Sequence, residues 1–211
     1  MLNQKKESSF FSSVSEVTNL YYQDKFKKYI NAKFYILDFG CGSGEFLKLI
    51  KCKYKVGIEI NKVTQKKLKK KKLLFFSKIE HIQKNIKFDT IFALSVLDHL
   101  KDPISFIKKL SNKLKKDGII IIIIRHDHKK QSQKNSFYRK HLYSWSLLSF
   151  NNLLNSVGLK SIEDGVVKMT LPPLFNFFKK ILGIKILLLL SRIYFYFNFN
   201  DRRFYFICKK I

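Results

Sequence analysis

The chain has 211 residues, a length that suits one domain with at most a small appendage and needs no disulfide or metal to hold its core. Its 42 basic and 15 acidic side chains give a net charge of +27, which points either to phosphate-rich partners (nucleic acid or an anionic membrane) or to lysine spread over the whole surface. Cys41, Cys52 and Cys208 are too scattered for a disulfide framework or a paired metal site. They suit a reducing, cytoplasmic compartment, and the chain offers neither a signal-peptide core nor 18 uninterrupted apolar residues.

The first 30 residues read as a helical segment, and residues 31–211 as the main domain. Five apolar runs follow as strands: Phe34–Phe39, Tyr54–Ile60, Leu73–Phe76, Phe88–Leu94 and Gly118–Arg125. The last is a continuous β-branched run, as expected of a central strand buried on both faces. The lysine-rich tract Lys66–Lys72 reads as a solvated helix face. Another helix opens at Asp102-Pro103, with Ile104, Ile107, Leu110 and Leu114 at helical spacing. Lys113, Lys115 and Lys116 fall near its expected C-terminus, and Asp117-Gly118 then turns into the fifth strand. A helix over Ser144–Val157 stops at Gly158. Two strands, Leu159–Lys168 and Arg203–Lys209, enclose an aromatic, leucine-rich insertion that Pro172-Pro173 opens. Strands alternating with helices predict a doubly wound α/β fold on a mainly parallel sheet.

The densest chemical signal is ILDFGCGSG, residues 36–44. An apolar strand ends at Asp38, and Gly40, Gly42 and Gly44 follow before a helix. Such glycines let a ligand approach the backbone, and the helix start behind them suits a carboxylate or phosphate. Glu59 ends the next strand, where an acid can accept hydrogen bonds from both hydroxyls of a ribose. A nicotinamide dinucleotide would fit these two features. Its fingerprint is G-x-G-x-x-G, however, and Glu45 stands where the third glycine belongs.

These residues resemble the class I S-adenosylmethionine (SAM)-dependent methyltransferase family over nearly the whole chain. Asp38 to Gly44 resembles its first motif and Glu59 its ribose-binding acid. Phe88 to Leu100 resembles the fourth-strand motif, Leu114 to Gly118 the turn before strand five, and His141 to Trp145 the entry to the last helix. The resemblance implies a seven-stranded sheet in the order 3-2-1-4-5-7-6, with strand 7 antiparallel. It implies SAM as cofactor, bound by Asp38, Gly40, Cys41, Gly42, Gly44, Glu59, Ile60, Ile79 and Ala93. The acid that the family often places after strand three is missing from Ser77–Glu80. No metal is expected, because Ser95-x-x-Asp98-His99 lacks one acid of the metal-binding pattern that some relatives carry.

The implied activity is methyl transfer to a small-molecule, lipid or saccharide acceptor, at oxygen rather than nitrogen or carbon. An oxygen acceptor needs a base, and His99, His126 and His128 are the candidates. An RNA methyltransferase, a non-catalytic SAM-binding partner subunit and a nicotinamide-dependent oxidoreductase rank below this. Nucleic acid is the weaker partner because no appended RNA module and no base-amino methyltransferase motif is present. Tyr21 and Tyr22 mark the first 30 residues as a candidate lid over the cofactor. Residues 171–199 carry Lys179, Lys180, Lys185 and Arg192 in an otherwise aliphatic and aromatic stretch. They read as a contact to an anionic membrane, a homodimer interface or a cap over the acceptor pocket, so the cytoplasmic protein is expected to lie peripherally on the inner membrane surface if the first holds.

Overall fold

The computed structural model describes residues 2–126, 142–143, 145–197 and 202–211, with side chains omitted at 2–13, 126 and 202. Its centre is a sheet of β1 (Tyr35–Phe39), β2 (Tyr54–Ile58), β3 (Phe75–Phe76), β4 (Phe88–Leu94), β5 (Leu114–His126), β6 (Leu159–Val166) and β7 (Arg202–Lys210). The order is β3-β2-β1-β4-β5-β7-β6. The first five strands are parallel, and β7 runs antiparallel to both neighbours. Order and polarity are those that the resemblance implied.

The isoleucine run of β5 shows why the sheet must be covered on both faces. Successive side chains of a strand point to opposite faces. Ile120, Ile122 and Ile124 enter one core cluster, and Ile119, Ile121 and Ile123 enter the other. The first cluster is closed by α4 (Pro103–Ser111) and α5 (Leu147–Ser156) through Ile107, Leu110, Phe150 and Leu154. The second is closed by α1 (Leu2–Lys25) and α2 (Glu45–Leu49) through Tyr21, Tyr22, Phe46 and Leu47. The helix α3 (Lys62–Lys70) buries only Leu68; its lysines are solvated as expected, and the Asn61 side chain caps it by accepting from the Val63 and Thr64 N–H groups.

Helix α4 differs from expectation at its end. Asp102 caps it, accepting from the Ser105 N–H at 3.0 Å, but it stops at Ser111. Leu114 already pairs with Phe88 in the sheet, and Asp117 at φ +62° marks the irregularity between there and Thr90. Leu114 therefore serves the strand, not the helix. Lys113 donates to the Ile82 and Gln83 carbonyls and Lys115 to Asp89, so neither caps the helix. Asp89 also accepts from the Tyr35 N–H at 2.7 Å, which ties the start of β4 to the start of β1. Helix α5 begins later than expected because Ser146 and Ser149 form a reciprocal capping box; residue 144 lies outside the described residues.

The insertion folds as α6 (Phe175–Phe197), broken at Gly183, whose φ of 75° and ψ of 173° no helix accommodates. Phe175 and Leu187 bury against Val17 of α1, so the insertion is packed on the domain along one side.

Candidate functional site

The loop after β1 is held flat on β2. The N–H groups of Gly40 and Cys41 both donate to the Ile58 carbonyl, at 2.9 and 3.0 Å. Gly57 of β2 makes this approach possible, because a Cβ there would stand 2.4 Å from the Cys41 sulfur. Gly40 has φ +76°, and a Cβ on it would meet Val96 at 2.5 Å. Gly42 differs. Its φ is +54°, and a Cβ would meet nothing within 4 Å, so its backbone faces open space from which a ligand can approach. Burial pushes the Cys41 thiol well above its usual range, with the Asp38 and Glu59 charges adding to the effect. Cys41 is buried, with its sulfur packed beside Gly57, the setting of a structural thiol.

Two cavities share Gly40 in their walls. The smaller, about 180 Å³, is walled by Asp38, Gly42, Ser43 and Leu94, with Ser15 and Asn19 of α1 on its far side. Asp38 is 2% exposed. Burial, and secondarily the charge of Glu59, raises its carboxyl pKa to about 7. The larger cavity, about 760 Å³, is walled by Glu59, Ile60, Ile79, Ser95, His99 and Phe106 among others. Glu59 accepts from the Asn61 N–H at 2.7 Å, and its own N–H donates to the Phe76 carbonyl at 3.0 Å, which fixes it at the end of β2. Ile60 is 76% exposed at the cavity margin.

Of the residues expected at the cofactor, Asp38, Gly40, Cys41, Gly42, Glu59, Ile60 and Ile79 line these cavities. Gly44 does not; a Cβ there would strike Leu73 at 2.4 Å, so it serves the fit of the loop against α3 and its exit. Ala93 does not either: it is fully buried in the core, and its neighbours Leu94 and Ser95 reach the cavities instead. The segment without the usual acid, Ser77–Glu80, lines the larger cavity.

His99 is on the cavity wall, while the adjacent Asp98 is buried and accepts from the Arg125 N–H at 3.1 Å. His126 ends β5; its side chain, like Asp127, His128 and His141, lies outside the described residues. Tyr21 and Tyr22 pack inside the core instead of over the cavities, because the helix turns a different face to them. That face carries Ser15 and Asn19, which sequence reasoning missed; their spacing of four places them together, and Asn19 donates to Ser15 at 3.1 Å. His81 was also missed. It lines the larger cavity with its Nδ1 3.3 Å from the Ser77 hydroxyl, and as a lone histidine after a two-residue strand it carried no signal.

A third cavity, about 450 Å³, opens between α1 and the root of α6, with Thr18, Met169, Thr170, Tyr194 and Arg203 in its wall. Arg203 donates to the Tyr22 hydroxyl at 2.7 Å and to the Met169 carbonyl at 3.1 Å. No group of three or more His, Cys, Asp or Glu side chains suited to a metal ion occurs among the described residues.

Comparison with known proteins agrees with this geometry. A family described as a methyltransferase domain matches residues 18–164, well over half of the chain. A tRNA U34 carboxymethyltransferase of Aeromonas hydrophila is 32% identical over 108 residues, covering 42% of this chain and 31% of that one. The chain spans less than half the length of the curated relatives it matches. Among solved structures, a SAM-dependent methyltransferase from Archaeoglobus fulgidus superimposes with a TM-score of 0.60 at 18% identity, covering 89% of this chain and 91% of that one. A phosphoethanolamine N-methyltransferase of Haemonchus contortus, in complex with phosphomonomethylethanolamine and S-adenosylhomocysteine, gives 0.59 at 17% identity and covers 86% and 49%. At these identities the two structures attest the fold alone.

Proposed function

The chain belongs to the class I SAM-dependent methyltransferase family, and we propose that it transfers the methyl group of SAM to an oxygen of a small-molecule, lipid or saccharide acceptor. The observation that carries this reading is a pair of cavities that share Gly40 in their walls, one lined by Asp38 and the other by Glu59. The residues fit the cofactor. Asp38 offers a buried carboxylate for the ammonium of the methionine part, and Gly42 leaves backbone open to it. Glu59 offers acceptors to the vicinal ribose hydroxyls, and Ile60 and Ile79 offer an apolar slot for the adenine ring.

When bound, SAM supplies a methyl group already activated on a sulfonium. The protein is then left to align the acceptor, exclude water and take up a proton. Ser15 and Asn19 of α1 close the smaller cavity from outside, and we assign α1 the role of cover on that basis. The acceptor in this reading enters the larger cavity, where Ser95, His99 and Phe106 share the wall with Glu59 and Ile60. His99 is the base, since it stands on the wall of the larger cavity in the turn that follows β4. Transfer of radiolabel from SAM into lipid, saccharide and RNA fractions of a cell extract tests the acceptor class. His99→Gln should lower turnover by roughly 10²–10⁴-fold near neutral pH while S-adenosylhomocysteine affinity holds, the scale of a lost general base. An unchanged rate would remove His99 from the reaction.

RNA is the second reading. It is favoured by the net charge of +27 and by the similarity to proteins named as tRNA carboxymethyltransferases. Label appearing in tRNA, with none in lipid or saccharide, would establish it.

A further inference from the structure

The side of α6 that faces away from α1 is apolar and unpartnered among the described residues. Within its second arm, Ile184, Leu187, Leu188, Ser191 and Phe195 turn toward the domain as buried or half-buried residues. Opposite them, Ile186, Leu189, Ile193 and Tyr196 are between 46% and 59% exposed. Their spacing of three and four residues makes one stripe along the helix. Phe177 and Ile181 extend the apolar surface on the first arm, before the break at Gly183. A contiguous apolar patch of this kind on a soluble domain marks a contact surface.

Its surroundings identify the contact. From Gly165 to Asn200 there is no acidic residue, whereas Lys168, Lys179, Lys180, Lys185 and Arg192 all fall within that span. The acids nearest on α1 are already engaged, Glu16 by Lys179 and Asp24 by Arg192. Lys180 and Lys185 are exposed and have no acidic partner among the described residues. An apolar stripe edged by uncompensated cations complements a layer that is apolar inside and anionic at its surface. A second copy of the chain would bring the same cations against themselves. No described helix is long and apolar enough to cross a membrane, and the Gly183 break leaves each arm of α6 shorter than the ~20 residues a crossing requires.

We propose that the exposed stripe of α6, from Phe177 to Tyr196, seats the protein on an anionic lipid surface, with the helix lying in the plane of the interface. The proposal rests on α6 alone and does not depend on the cofactor reading. It places the cavity at the root of α6 beside the lipid headgroups.

Flotation with vesicles tests it. The wild type should float with vesicles of phosphatidylcholine and phosphatidylglycerol at low salt, and far less with phosphatidylcholine alone. An Ile186→Glu/Leu189→Glu/Ile193→Glu variant should float roughly tenfold less, since it buries charge in place of the apolar face. A Lys180→Glu/Lys185→Glu variant should lose the preference for anionic vesicles. All three positions of the first variant are exposed, so its fold should persist; retained binding of S-adenosylhomocysteine by calorimetry checks that. A wild type that stays in the soluble fraction overturns the proposal, as does a first variant that floats as well as the wild type. Light scattering that finds a dimer dissolved by the first variant, without flotation, assigns the stripe to a second copy and overturns it too. So does a tRNA complex lost in that variant while vesicles capture neither protein. Failure of S-adenosylhomocysteine to bind the wild type would instead count against the cofactor reading and leave flotation to be judged by itself.

Discussion

The loop between β1 and α2 and the helix α6 solve opposite problems. The loop makes a surface out of backbone: side chains are removed at Gly40, Gly42 and Gly57 so that chain can lie on chain and one stretch can face a ligand. Helix α6 makes a surface out of side chains, with one apolar side buried on α1 and another left outside. Function at the loop therefore depends on a few atoms held in place, and it tolerates almost no substitution. At α6 it depends on summed area and charge, and single exposed changes should matter little. The two regions should fail separately when mutated.

Leu187→Ala probes the inner side of α6. Leu187 is fully buried against α1, and truncation of such a leucine costs about 2–4 kcal/mol of stability. Chemical denaturation should show that loss, and S-adenosylhomocysteine affinity measured below the transition should stay within about twofold of wild type. A large loss of affinity would mean that the two regions are one unit.

Glu59→Ala probes the loop side with the opposite signature. If Glu59 accepts from the ribose hydroxyls as proposed, its removal should weaken SAM and S-adenosylhomocysteine by about 1–3 kcal/mol. Glu59 is half exposed and, among the described residues, its carboxylate accepts only from the Asn61 N–H, so thermal stability without ligand should move little. Unaltered affinity would take Glu59 out of the site.

The third probe is pH. Asp38 has its carboxyl raised to about 7 by burial and by Glu59. In the folded protein without ligand it therefore holds a proton that the unfolded chain releases near pH 3.9. Its contribution to stability is present at low pH and is lost as pH rises from about 4 to about 7. Cofactor binding runs the other way, because an ammonium partner favours the carboxylate. Affinity should rise with pH up to about 7 and then level, by no more than about 1.4 kcal/mol per pH unit. Calorimetry in buffers of different ionisation enthalpy should detect the proton released on binding below pH 7, and Asp38→Asn should abolish that release. No such pH dependence is expected of lipid binding by α6.

The same contrast explains what could be read from the chain. The strand–glycine loop–helix unit at Asp38 was legible because such a loop has few physical meanings, and the two-sided cover of the sheet because the isoleucines of β5 demand it; the strand order came with the family resemblance. Leu114 was misread because an apolar residue four positions after Leu110 satisfies a helix and a strand equally; only its pairing with Phe88 decides. Ala93 lines neither cavity, and period-2 alternation does not say which face of β4 meets one. Ser15 and Asn19 stayed hidden because short polar residues on an amphipathic helix look like solvent exposure until the sheet is placed beside them. The composition of α6 announced an unusual surface, but its break at Gly183 and its buried side follow from packing on α1, which no local pattern encodes.

The central claim is that Asp38, Gly42 and Glu59 form a site for SAM. Its most direct test is calorimetric titration of the purified wild type with SAM, S-adenosylhomocysteine and NAD in parallel. One saturable site is expected for the first two ligands, weakened in Glu59→Ala, with no measurable heat from NAD. Binding of NAD in preference to SAM, or absence of SAM binding by a folded wild type, would contradict it.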